Sequence, residues 1–222
     1  MIAHERLIAP DGYEVALFPF EYLYMSQDEG GDYSHAGTYN IDFLGWDSNG
    51  RVYQCPFYAP CELECVDIWD SNSNTRVYQS TNRVHLANGD LDYLTIMFSH
   101  DDNPPHSVGS IIRQGELLGH TGTTGYVTGD HTHTCCGKGT YQGFTERQQG
   151  NWDLTNRIHY WDALYVNNTI IVEGYNHPWE VYSEPIGFAI NKKFNFMLFG
   201  YYAKLKRKGS GQRWEQKLLI HN

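Results

Sequence analysis

No stretch of this chain approaches the roughly eighteen consecutive apolar residues that a membrane span requires. Its start, Met1-Ile2-Ala3-His4-Glu5-Arg6, runs on to Pro10 without an apolar segment behind a basic end, so no secretory signal peptide is expected. The five cysteines, Cys55, Cys61, Cys65, Cys135 and Cys136, lack the paired C-x-x-C spacing of a structural zinc site, and their odd number argues against a disulfide framework. The glycine-rich stretch 115–130 is not followed by Gly-Lys-Ser/Thr, which excludes a phosphate loop there, and no internal repeat is visible. Basic residues are scarce over most of the length. Residues 1–185 hold 8 of the 16 Lys+Arg against 25 of the 26 Asp+Glu, a net −17, which argues against nucleic acid as a partner. Residues 186–222 reverse the balance to +7. Such an asymmetry marks a segment with its own role: docking on the acidic part, or holding an anionic wall polymer, a membrane surface or a neighbouring protein.

What is abundant points to strands. With 222 residues the chain can bury one sizeable core, alone or with a small appendage. Aromatics at 15%, with 17 Tyr and 22 Gly, favour strands and turns over helices, so the expected class is all-β. Residues 11–27 suggest an edge strand and loop, 40–44 a strand, and 61–69 and 76–86 two strands joined by a turn at Ser71-Asn72-Ser73-Asn74. Leu94, Ile96 and Phe98 share a strand face, and continued alternation would put His100 on it. Residues 137–156 read as a long polar insertion, and Trp161 to Tyr165 as a helical turn. Cys61 and Cys65 share parity in a predicted strand and suit a role as small buried hydrophobes.

The densest chemistry lies in Thr128-Gly129-Asp130-His131-Thr132-His133-Thr134-Cys135. If this segment is extended, His131 and His133 present their imidazoles on one face. Upstream, Ser34-His35-Ala36-Gly37-Thr38-Tyr39-Asn40-Ile41-Asp42-Phe43 offers one more imidazole and a carboxylate. Two nitrogens and an oxygen suit zinc and leave a fourth position open for water. Cys135 and Cys136 lie beside the pair, but a thiolate there would turn an open catalytic site into a closed structural one. Taken singly, each residue has a plain alternative: a lone His100 is a core histidine, a lone Asp42 a turn carboxylate.

In order along the chain, His35…Asp42, His100 after an apolar strand, the glycine-rich run from Gly109 to Gly129, and His131-Thr132-His133 resemble the lysostaphin/LytM-type zinc endopeptidases, in a version associated with bacteriophages. The resemblance covers roughly residues 10–180. It implies an antiparallel β-sheet metallopeptidase domain over residues 1–183, a basic aromatic extension over 184–222, and Zn2+ held by His35, Asp42 and His133. His100 and His131 would flank the open position as the catalytic pair. The implied substrate is the cross-bridge or stem peptide of bacterial peptidoglycan, cut by a phage tail enzyme or by a lysin released from the host at lysis. Other phage tail proteins are implied partners of the extension. A non-catalytic peptidoglycan-binding or structural virion domain that keeps the fold is the alternative, and a zinc enzyme acting on a small amide is a third.

Three departures from the family pattern carry expectations of their own. The seven-residue step from His35 to Asp42 puts them on opposite faces of a regular strand, so the loop around Gly37 must fold His35 back. Thr132 and Thr134 stand where the family usually has apolar residues, which would leave the far face of the strand wetter. Asp130 beside His131 would raise that imidazole's pKa if its carboxylate faced the ring. Tyr33 and Tyr39 flank His35 and are expected to pack rather than to react.

Overall fold

A computed structural model describes residues 6–148, 150–166 and 170–173. The expected basic extension from residue 184 onward lies outside the described residues. No helix among those described is long and apolar enough to cross a membrane.

The expected all-β class holds. Nine strands form the main sheet: β1 (Tyr22–Gln27), β2 (Ile41–Phe43), β3 (Leu63–Asp70), β4 (Thr75–Ser80), β5 (Leu94–Ser99), β6 (Ile111–Ile112), β7 (Thr132–Lys138), β8 (Arg157–Ile158) and β9 (Ile170–Glu173). They pair in the order β6-β3-β4-β5-β7-β2-β1-β9, with β8 on the free end of β7. Every pairing is antiparallel except β1 with β9. The expected edge strand before Gly30 is therefore corrected: β1 is hydrogen-bonded on both sides.

Alternation sorts the side chains onto two faces. Leu94, Ile96 and Phe98 of β5, with Ile41 and Phe43 of β2, enter the main core, where Phe57 stacks on Phe98 at 4.4 Å between ring centroids. This face is covered by the loop carrying Phe18 and Phe20, by the paired strands Pro56–Tyr58 and Leu117–His120, and by the single helical turn Tyr160–Ala163. Thr132 and Thr134 fall on the same covered face and are fully buried. Their hydroxyls donate to the carbonyls of Ser99 (3.1 Å) and Met97 (2.6 Å), so the expectation of a wetter far face is overturned. Threonine satisfies its polar atom within the sheet while presenting a methyl group to the core.

The opposite face carries Asp42, Met97, Ser99 and His133 and forms the floor of a cleft of about 1060 Å³. The expected polar insertion 137–156 is instead mostly strand. β7 continues to Lys138, and Phe144–Gln148 and Asn151–Leu154 form a hairpin. Its Leu154 and Phe144 close over Val77, Met97 and Cys135 in a small second core. Polar residues at alternate positions hid this hairpin, since it is covered on one side only.

All five cysteines are buried and unpaired. Burial pushes the thiols of Cys61 and Cys136 well above the usual range and that of Cys55 up to about 11. They are small core residues, not metal ligands. Under denaturing, non-reducing conditions a thiol count should return all five, against almost none on the folded protein; a denatured count of three or fewer would show that bridges form.

Candidate metal centre

The centre is built on β2, β5 and β7. In the pairing register His133 lies directly opposite Asp42 on one side and Ser99 on the other. Asp42 and His133 therefore meet as a cross-strand pair, with Asp42 Oδ1 2.9 Å from His133 Nδ1.

His35 arrives by the fold-back that its spacing requires. Its backbone N–H donates to Gly31 O (3.0 Å), its carbonyl accepts from the Thr38 N–H and hydroxyl (both 2.9 Å), and Gly37 takes a φ of +73°. That left-handed turn is open to glycine at little cost. His35 Nδ1 lies 3.0 Å from Asp28 O, and a carbonyl can only accept, so Nδ1 is protonated and Nε2 keeps its lone pair. Nε2 lies 3.1 Å from His133 Nδ1 and 3.2 Å from Asp42 Oδ1.

Three ligand-type atoms thus form a triangle with edges of 2.9, 3.1 and 3.2 Å. Four-coordinate zinc with bonds of about 2.0–2.1 Å sets its ligand atoms roughly 3.3 Å apart, so the triangle fits the ion to within a few tenths of an ångström. His35, Asp42 and His133 are the metal-capable group of this kind among the described residues. Burial works against ionisation of Asp42, but the two imidazoles outweigh it and hold its carboxyl well below the usual range. Burial also lowers the pKa of His133.

Gln27 completes the support, and nothing in its sequence context marked it. A register shift between Met25 and Gln27 turns Gln27 off the core face taken by Met25 and toward Asp42. Its Nε2 donates to Asp42 Oδ2 (3.1 Å) and Ser34 Oγ (2.8 Å), while its Oε1 accepts from the Ser34 N–H. The carboxylate oxygen that does not face the two imidazoles is thereby held in place.

His100 and His131 stand beside the triangle, their ring centroids 4.7 Å apart. The parity expected for His100 is corrected. It takes a φ of +78°, which breaks the alternation after Ser99, and it lines the cleft on the Met97–Ser99 side rather than joining the core face. A left-handed histidine costs on the order of 1 kcal/mol and is held by its surroundings: His100 N–H donates to Ser73 O (2.8 Å), and its Nδ1 to Thr124 O (2.8 Å). His131 Nδ1 donates in the same way to Gly129 O (2.8 Å). Both rings are left with a free Nε2, and that of His131 lies 3.7 Å from Asp42 Oδ1. Burial, then His133 and His131, pull the His100 pKa down to about 4, so its ring is neutral at neutral pH.

The Asp130 carboxylate is engaged by other partners. Buried, it accepts from Gln54 N–H (2.9 Å) and the Thr121 hydroxyl (2.7 Å), tying the glycine-rich run to the segment before Pro56. Within that run Gly122 exchanges backbone hydrogen bonds with His131 at 3.0 and 3.1 Å. A Cβ on Gly122 would collide with His100 O and lie 2.7 Å from Asp102 N, both backbone atoms. Gly122→Ala is expected to force the His100 and His131 segments apart at a cost of about 1–3 kcal/mol, read as a lowered melting temperature; an unchanged melt would contradict the close approach.

His159, half-buried, pairs with the buried Glu29. Its Nδ1 lies 2.5 Å from Glu29 Oε2, and its ring is stacked between Tyr39 (4.0 Å) and Trp161 (4.7 Å). Glu29 Oε1 accepts from Tyr160 N–H (3.0 Å), and burial pushes its carboxyl up to about 9. The folded protein therefore keeps a proton that the unfolded chain releases above its ordinary carboxylate pKa. Stability from this group is complete at acid pH and falls as pH rises toward the folded value. Between about pH 7 and 9 the effect reaches ~2 kcal/mol. Glu29→Gln mimics the protonated acid, so melting temperatures across this range should decline less for the variant than for the parent. Parallel curves would show that Glu29 is ionised when folded.

No protein-family model matches the chain. It is similar to Morphogenesis protein 1 of Bacillus phage B103, 34% identical over 171 residues, which are 76% of this chain and 45% of that protein. The chain thus spans less than half the length of that relative. Among solved structures it is similar to a zinc-containing peptidase from Vibrio cholerae (13% identity, 69% of this chain and 46% of that one, TM-score 0.39). It is also similar to the catalytic domain of lysostaphin from Staphylococcus simulans (19% identity, 54% and 80%, TM-score 0.38). In the order of its site residues along an antiparallel β-sheet chain, this protein resembles the lysostaphin/LytM-type zinc peptidases, and a sequence relative is a phage protein.

Proposed function

We propose that this chain is a zinc-dependent endopeptidase that hydrolyses cross-bridges or stem peptides of bacterial peptidoglycan, in the service of a bacteriophage. The observation that carries the reading is the triangle of His35 Nε2, Asp42 Oδ1 and His133 Nδ1, with two further imidazoles aimed at its open side from a cleft floor. In this reading the three residues hold the ion. When bound, zinc supplies Lewis acidity toward a carbonyl and lowers the pKa of water.

The remaining chemistry belongs to His100 and His131. A neutral Nε2 takes the proton from the attacking water, and the same proton returned to the departing amine balances the hydrolysis. The partner ring, when protonated, donates to the oxygen that gains negative charge. The Thr124 and Gly129 carbonyls keep both Nε2 atoms turned toward the substrate. A role in a tail-associated particle or in a lysin rests on the phage relative, and partners in a virion are part of the proposal.

The test is zinc analysis of the purified chain combined with mass spectrometry of fragments released from walls of several cross-bridge types. One zinc per chain and fragments with new peptide termini are expected. Full zinc content without released fragments would favour the non-catalytic wall-binding alternative, and hydrolysis confined to small soluble amides would favour the third.

A further inference from the structure

The cleft also carries aromatic surface that the hydrolytic chemistry does not use. Trp69, near the end of β3, and Trp152, on the hairpin strand Asn151–Leu154, both line it and remain 42% and 41% exposed. Trp69 stacks on Phe144 with ring centroids 4.0 Å apart, which supports the indole from one side, and Trp152 lies 6.1 Å from Trp69 at a tilt of 49°. Tyr126, 98% exposed, lines the same cleft. Large rings left open in a concave site mark a surface that something else covers.

This surface is anchored to the candidate metal centre. Asn40, two residues before Asp42, donates from Nδ2 to Trp152 O (2.8 Å), and Tyr39 N–H donates to Asp153 Oδ2 (3.0 Å). Arg147 and Arg157 clamp the same Asp153 carboxylate at 2.5 and 2.9 Å. The indoles are therefore presented at a set distance from the triangle before any ligand arrives.

Charge narrows the occupant. Among the described residues no Lys or Arg lines the cleft, whereas Asp28, Asp32 and Asp42 do. A phosphate or carboxylate polymer finds no cationic side chain to hold it there and meets those carboxylates. A pyranose ring fits better, because its axial C–H groups form a flat apolar face for an indole and its rim of hydroxyl and acetamido groups needs neutral hydrogen-bonding neighbours such as Asn151.

We propose that Trp69 and Trp152 form a subsite for a neutral N-acetylated hexopyranose, the glycan strand that carries the peptide to be cut. This rests on the peptidase reading and deepens it, since the enzyme would hold the sugar backbone while the imidazoles act on the attached peptide.

The experiment is a titration of the full chain with the β-1,4-linked trisaccharide of N-acetylglucosamine, followed by tryptophan fluorescence and by calorimetry, with and without a zinc chelator. Saturable binding that survives chelation is expected. Trp152→Ala should weaken it about tenfold, the upper end of one aromatic stacking contact, and Trp69→Ala similarly. Trp152→Phe, which keeps a ring, should recover much of the loss and guards against a merely misfolded alanine variant. Absence of saturable binding up to the solubility limit, wild-type affinity in Trp152→Ala, or saturable binding of a sugar-free stem peptide alone would overturn the subsite. The trisaccharide has no backbone peptide bond to cut and its binding needs no metal, so this result and the fragment-release assay can fail independently.

Discussion

Replacing His133 by Ala is expected to empty the metal centre and abolish wall hydrolysis. His133 Nδ1 lies on two of the three edges of the triangle, 2.9 Å from Asp42 Oδ1 and 3.1 Å from His35 Nε2. The residue sits within β7, bonded on both sides in register with Asp42 and Ser99, so the strand fixes its place opposite the carboxylate. A site reduced from three protein ligands to two should lose affinity by about a hundredfold or more, since even an indirect supporting group is worth roughly 10–100-fold. Equilibrium dialysis with zinc, alongside release of wall fragments, reads both effects. His35→Ala and Asp42→Ala should behave alike. A His133→Ala protein that kept stoichiometric zinc would move the ion to another ligand set and remove the basis of the proposed function.

His100→Ala and His131→Ala should do the opposite to the metal: zinc is retained, and turnover falls by about 10²–10⁴-fold, the usual worth of a positioned proton-transfer group. Neither ring lies within the metal-capable group, and each is oriented by its own backbone carbonyl rather than by Asp42 or His35. Removing one should therefore leave the triangle as it stands. His100→Ala leaves a non-glycine residue at a φ of +78° and gives up the bond to Thr124 O, so its melting temperature should fall, whereas His100→Gly should relax the backbone strain. Single-turnover rates on a defined cross-bridge peptide, with zinc content measured on the same samples, separate the roles. Loss of zinc in His131→Ala would make that residue a ligand and the assignment would have to be redrawn.

The class of fold was legible because aromatic, β-branched and turn residues recur at short spacing, and the alternation in Leu94–Ser99 faithfully reports a two-sided strand. The proximity of His131 and His133 was legible for the same local reason. His35 was foreseen to fold back because its seven-residue step to Asp42 contradicts strand geometry, and Gly37 supplies the turn. What failed was the extrapolation of local rules past a point where tertiary contacts override them. Alternation was extended through His100, but the Ser73 and Thr124 carbonyls draw it into a left-handed turn and onto the other face. Gln27 was invisible because a register shift, set by its pairing with β2, reverses its side. Thr132 and Thr134 looked wet because the carbonyls that satisfy them belong to another strand.

By itself, then, the sequence determined the strand-rich class, the candidate ligands, the unpaired cysteines and the charge division between residues 1–185 and 186–222, since each depends on residue identity or on spacing within a few positions. Tertiary structure alone decided that Asp42 and His133 face each other across two strands 91 residues apart, that Glu29 keeps a proton beside His159, and that Trp69 and Trp152 meet on one cleft wall. These depend on pairing register and on burial, which follow from how distant segments satisfy one another's hydrogen bonds and apolar faces, and no local pattern encodes that choice.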